Sequence, residues 1–319
     1  MIDFRYHLVS LASVLIALAI GIVLGAGPLK EGISESLNSQ VVQLRKEKTD
    51  LRTDLDDAQK SLSVHSDFET GALRHVIAAR LTGARTLIVT LPDAPVGVVS
   101  RTEDSLVAAG AVESGRVTLT SKWADPDEAV AAEREALAGE LSAGLSLPEN
   151  GQTGGQLLDR VLAAVLVGPI DLENTPTTPT PEERQAIWDR LEGADLVSGA
   201  LPESLATSVV VLASPAVTTP TAADESVSAR LAGVSAELDA RCAGAVLVGQ
   251  LPAAGDDASS AVSAARGQSS IRRHLSTVDN SGDPMGQASV VLALAEQLVG
   301  GSGQYGLLPN ASAAFPSGL

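Results

Sequence analysis

From Leu8 to Gly27 the chain reads LVSLASVLIALAIGIVLGAG, 20 residues without a charge. A helix rising 1.5 Å per residue carries such a run across roughly 30 Å, the thickness of a bilayer's hydrocarbon core. The run is apolar on every face, which a helix lying on a soluble core is not. Phe4, Tyr6 and His7 stand just before it, where amphipathic rings favour the membrane interface. A cleaved secretory leader has a shorter apolar region, about 7–15 residues, behind a positive front. Here Asp3 and Arg5 share the front, and Leu24-Gly-Ala-Gly27 is a poor cleavage site. Residues 1–29 therefore read as an uncleaved single-pass anchor. Arg5 before the span and Lys30 after it do not decide its orientation. Within it Ala17, Gly21 and Gly25 lie four apart, a stripe of small residues on which a second helix can pack closely.

Residues 30–70 follow with a different period. One seam runs Leu37, Leu44, Leu51, Ala58 and His65; the other runs Val41, Lys48, Leu55 and Leu62. Apolar residues in this heptad spacing, amid polar and charged ones, are the pattern of a left-handed coiled coil. Lys48 on the seam lowers stability and can fix register and strand number. A small-residue membrane face leading into a heptad seam predicts a parallel homo-oligomer. The competing reading is one amphipathic helix lying on the globular domain. His65 closes the seam at a solvated end.

From residue 71 to 308 short apolar runs alternate with helical stretches. Strands are expected at Thr86–Leu91, Val117–Thr120, Asp195–Ser198, Ser208–Ala213, Ala245–Gly249 and Leu275–Val278. Several are continuously apolar, as strands buried on both faces are. Helices are expected near 97–110, 125–142, 153–167, 181–192, 223–242, 257–266 and 284–299. Asp125-Pro126 and Asp283-Pro284 each place a cap before a first-turn proline, and Thr180-Pro181-Glu182-Glu183 spells a capping box. Leu91-Pro92, Leu201-Pro202 and Leu251-Pro252 read as strand terminators, and Asn174–Pro181 as a Pro/Thr-rich loop. The fold class is thus α/β: an N-terminal transmembrane helix and coiled coil, then a mostly parallel sheet covered by helices on both faces. Residues 309–319 read as a flexible tail.

With aromatics at 2% and hydrophobic residues at 45%, the core must be built from Ala, Val, Leu and Ile. The net charge of −17 disfavours nucleic acid, whose phosphates require clustered Lys and Arg. One cysteine, Cys242, excludes an intrachain disulfide. No GxGxxG follows the first strand, no glycine-rich loop ends in Lys-Ser or Lys-Thr, and no GxSxG elbow occurs. No catalytic residue and no cofactor are therefore assigned. At the expected crest of the sheet Asp279 and Asn280 are placed either to make a turn or to hold a ligand or cation. The run Gly300–Gly306 reads as a helix cap followed by a flexible loop. Metal ligands are scarce: four His (His7, His65, His75, His274), one Cys and two Met, with no His pair at helical spacing. No metal site is assigned.

The opening MIDFRYHLVSLASVLIALAIGIVLGAGPL resembles the start of the actinobacterial MctB family of copper transport proteins. HLSTVDN at 274–280, VVLALAEQLVGG at 290–301 and GQYG at 303–306 resemble its end. The resemblance implies a cell-envelope protein in copper efflux or homeostasis, with copper as a partner and the soluble domain extracytoplasmic. A single apolar helix suits a bilayer crossed by helices, whereas membrane barrels use strands of alternating polarity. The non-copper alternative is an envelope scaffold acting through its coiled coil and globular head.

Overall fold

The computed structural model describes residues 4–145, 147, 155–169, 178–251 and 258–317, with side chains for all but 26–36 of these. The chain divides into two compact units, Met1–His65 and Ser66–Leu319. The described part of the first is helical throughout, within α1 (Phe4–Ile77). No break in helix marks the expected boundaries at 29/30 and 70/71. Gly71 is helical, because the last turns of α1 are recruited by the second unit: Leu73 and Ile77 pack into its core.

The second unit is built on a seven-stranded sheet in the order β3-β2-β1-β4-β5-β6-β7. Its strands are β1 (Arg85–Thr90), β2 (Val112–Leu119), β3 (Val197–Ser198), β4 (Ser208–Leu212), β5 (Gly244–Val248), β6 (Ser276–Val278) and β7 (Gln304–Tyr305). All pairs are parallel except β3 against β2. The connecting helices are α2 (Val96–Ala108), α3 (Glu128–Ser142), α4 (Leu157–Leu166), α5 (Pro181–Gly193), α6 (Ala222–Arg241), α7 (Ala261–Gly267), α8 (Ser269–Arg272) and α9 (Pro284–Leu298).

The period-two geometry of a strand divides the core into two layers. Leu87 and Val89 of β1, Val209 and Val211 of β4, and Leu247 of β5 face one cluster, with side chains of α4, α5, α6 and α7. Ile88, Val210, Leu212, Val246 and Val248 face the other, with α2, α9 and the end of α1. Each Val, Leu or Ile so enclosed contributes about 1.5–3 kcal/mol of burial, which a chain poor in rings must draw from many small groups.

Local signals set most element ends. Thr180 and Glu183 exchange the reciprocal bonds of a capping box at α5, and Asp283 accepts from the Gly286 amide at α9. The expected start of α3 at Asp125-Pro126 is corrected: Asp127 is the cap, accepting from Ala129 and Val130, while Asp125 accepts from the Asp127 amide. Likewise α4 begins at Leu157 behind Gln156, and α7 at Ala261 behind Ser260. Strand β2 begins at Val112 rather than Val117. Its polar first half is recruited by pairing with β1, and a register shift sits opposite Thr86–Ile88. Gly115, at φ 106°, provides the left-handed residue there. Pro252 and residues 174–177 of the expected loop lie outside the described residues.

Two expectations at the C-terminal end fail. The glycine-rich run contains β7 instead of a flexible loop. The Gln304 side chain accepts from Thr277 Oγ1 and donates to the Arg272 and Leu275 carbonyls, which fixes a segment with no apolar pattern of its own. The stretch from Pro309 is tied down at Ser312 and Ala313, whose amides donate to the Gln304 carbonyl.

Candidate functional site

The first functional element is the N-terminal span. Phe4–Gly25 is a 22-residue helical stretch whose most apolar 18-residue window has a mean hydropathy of 2.7, with none of that window buried by the rest of the chain. Leu15 and Ile22 are 58% and 62% exposed, a continuous apolar surface that water does not tolerate and lipid does. The Ser13 hydroxyl donates to the Val9 carbonyl at 2.8 Å, so it asks nothing of the membrane. Along the small-residue stripe, Ala17 is exposed. At Gly21 and Gly25 an added Cβ would meet nothing within 4 Å. In the stalk the expected seam residues Leu37, Leu44, Leu51, Leu55 and Leu62 stand 57–68% exposed in the single chain, and Val41 37%; Lys48 and Ala58 are exposed with them.

The second element is the crest of β6. Asp279 lies immediately after the strand and is buried. Its carboxylate pairs with the equally buried Arg266 at 2.6 Å and accepts from the Leu307 and Leu308 amides at 2.8 and 3.2 Å. Arg266 completes its fork on Thr277 Oγ1, Asn310 Oδ1 and the Tyr305 carbonyl. Burial pulls the guanidinium below its ordinary pKa while the Asp279 charge opposes the shift. Gly306, at φ 132°, lies against this carboxylate; a Cβ there would come within 2.0 Å of it. The pair thus ties β6, α7, β7 and the final loop together. Asn280 is also buried: Nδ2 donates to Asp283 Oδ1 at 3.3 Å, and Oδ1 has no partner among the described residues. Sequence reasoning missed Arg266, since an arginine at the end of a short helix carries no signal of its burial.

The third element is an open cleft of about 400 Å³ above the carboxyl ends of β1 and β4. In the strand order, β2 and β3 extend to one side of β1 and β4 to β7 to the other. The cleft therefore occupies the topological switch point where doubly wound folds bind ligands. The Ser214 hydroxyl donates to the Pro92 carbonyl and joins the two strand ends. An antiparallel bridge between Val217 and Ser259 closes one wall. Behind another wall Arg134 donates to the Lys122 and Asp125 carbonyls, and the fully buried Asp159 receives Trp123 Nε1, the Gln156 amide and Arg230. Burial and then the nearby Arg230 hold the Arg134 guanidinium below its usual pKa.

Away from these places, Asp239 accepts from the Ala245 amide at 3.1 Å, and burial pushes its carboxyl up to about 7. The adjacent Cys242 thiol is raised by burial first and the Asp239 charge second, which makes it a buried small hydrophobe and not a reactive thiolate. Among the described residues no group of three His, Cys, Asp or Glu could hold a metal ion.

A membrane-spanning helix and a doubly wound α/β domain in one chain define a single-pass membrane protein with a globular domain. The family model described as "Copper transport outer membrane protein, MctB" matches residues 1–316, and the chain belongs to this family. Similar proteins named "Copper transporter MctB" include that of Mycobacterium tuberculosis (strain ATCC 25618 / H37Rv) and that of Mycobacterium bovis (strain ATCC BAA-935 / AF2122/97), each 29% identical over 96% of either chain. That of Mycobacterium leprae (strain TN) is 28% identical, again over 96% of both.

Proposed function

We propose that this protein is a single-pass envelope protein that contributes to copper efflux and homeostasis, with its α/β domain on the extracytoplasmic side and its stalk pairing copies of the chain. The observation that carries this reading is the full-length match: span, stalk and domain all fall within the region shared with relatives named as copper transporters. A role without catalysis accords with those names. The donor set of one chain offers copper little, because soft or imidazole ligands are few and dispersed. One apolar helix cannot enclose a pore. Copper transport would therefore be the work of an assembly, held together by the Ala17–Gly21–Gly25 stripe and the exposed heptad seam.

Deletion of the coding sequence, followed by growth in excess copper and measurement of copper per cell, tests the proposal. The expected result is a higher copper content and a lower growth-limiting copper concentration, both reversed by the full chain. Unchanged copper content and tolerance would instead favour the scaffold reading, for which the exposed seam is equally suited.

A further inference from the structure

We infer that the switch-point cleft binds an aliphatic polyamine, a small organic cation whose charges are spread along an apolar chain. The volume, about 400 Å³, falls in the range of small-molecule pockets. Among the described residues its charged lining is all acidic, Asp93 from the β1 turn, Asp125 before α3 and Asp224 in the first turn of α6, with no Lys, Arg or His. Arg134 lies behind the Asp125 wall and offsets part of that one charge. Among the described residues Asp93 makes no such pairing, and Asp224 keeps Oδ1 beyond the bonds that Thr221 makes to Oδ2.

Two observations decide the class of cation. The three carboxylates do not converge: they stand on three separate elements, and no three such groups among the described residues could share a metal ion. A compact divalent ion would therefore meet them one at a time. Between them the walls are apolar, supplied by Val217, Val227 and Leu231, which favour methylene groups over water. Ammonium groups separated by short methylene spacers satisfy both conditions. Asp93 is held at φ 60°, an unusual conformation for a non-glycine residue at the lip of the cleft.

The test is calorimetric titration of the full chain in detergent with spermidine at low salt. The expected result is saturable binding that weakens about fivefold in Asp93→Asn, the equivalent of one exposed charge pair. Asn tolerates positive φ, so this variant keeps the turn. Asp57→Asn, on the stalk, is expected to bind as the parent does. Magnesium chloride is expected to compete no better than sodium chloride of equal ionic strength. Absence of saturable binding, an unaltered Asp93→Asn, an equal loss in Asp57→Asn, or direct displacement by magnesium would each overturn the inference. Cellular copper content plays no part in the readout, so this test and that of the copper role fail separately.

Discussion

A buried carboxylate is costly to place in a protein unless its partners are close and complete. Asp279 meets that condition through Arg266 and two amides. Removing one partner strands the other. Asp279→Ala is expected to destabilise the domain by about 3–5 kcal/mol. Thermal unfolding of the full chain in detergent should show a drop on the order of 10 °C; an unchanged midpoint would show that the pair is dispensable. Asp239 behaves in the opposite sense. Its folded pKa of about 7 lies above the ordinary 3.8, so the folded state holds the proton more tightly than the unfolded one. Stability is then greatest below the unfolded value and falls as pH rises toward and through 7. Asp239→Asn keeps an oxygen for the Ala245 amide and removes the charge. Its unfolding midpoint between pH 5 and 8 should fall less than the parent's, and an identical slope would contradict the assignment.

At the scale of elements, the legible parts were those with dense local signals. β1, β4 and β5 are apolar runs because both faces are covered, and they stand where the runs predict them. The caps at Thr180 and Asp283 are readable because the side chain bonds its own helix. β7 was not legible: two residues flanked by glycines become a strand only because Thr277 and the Arg272 and Leu275 carbonyls hold Gln304. The cleft was not legible either. Its residues run from Pro92 to Ala261 and meet only after the strands cross, while Asp93 and Asp224 read locally as turn and cap residues. The stalk presents the reverse case, a clear heptad whose apolar residues stand exposed in the single chain, the surface that the proposed pairing of chains would cover. Leu44→Asp or Leu51→Asp is expected to dissociate oligomers of the detergent-purified protein in sedimentation, whereas Thr49→Asp, off the seam, leaves them intact. Equal behaviour of all three would argue against a coiled coil.

On the scale of the whole molecule, a charge of −17 and an apolar N-terminal helix divide one chain between two solvents. The acidic surface keeps the α/β domain soluble, and the span confines it to a bilayer. The proposed copper role, the proposed pairing of stalks and the proposed side of the membrane all presuppose that this tether persists. The direct measurement is the intact mass of the mature chain recovered from washed membranes after alkaline carbonate extraction. Recovery in the membrane pellet, at a mass that includes Phe4–Gly25, is the predicted result. A shorter chain released into the soluble fraction would contradict it.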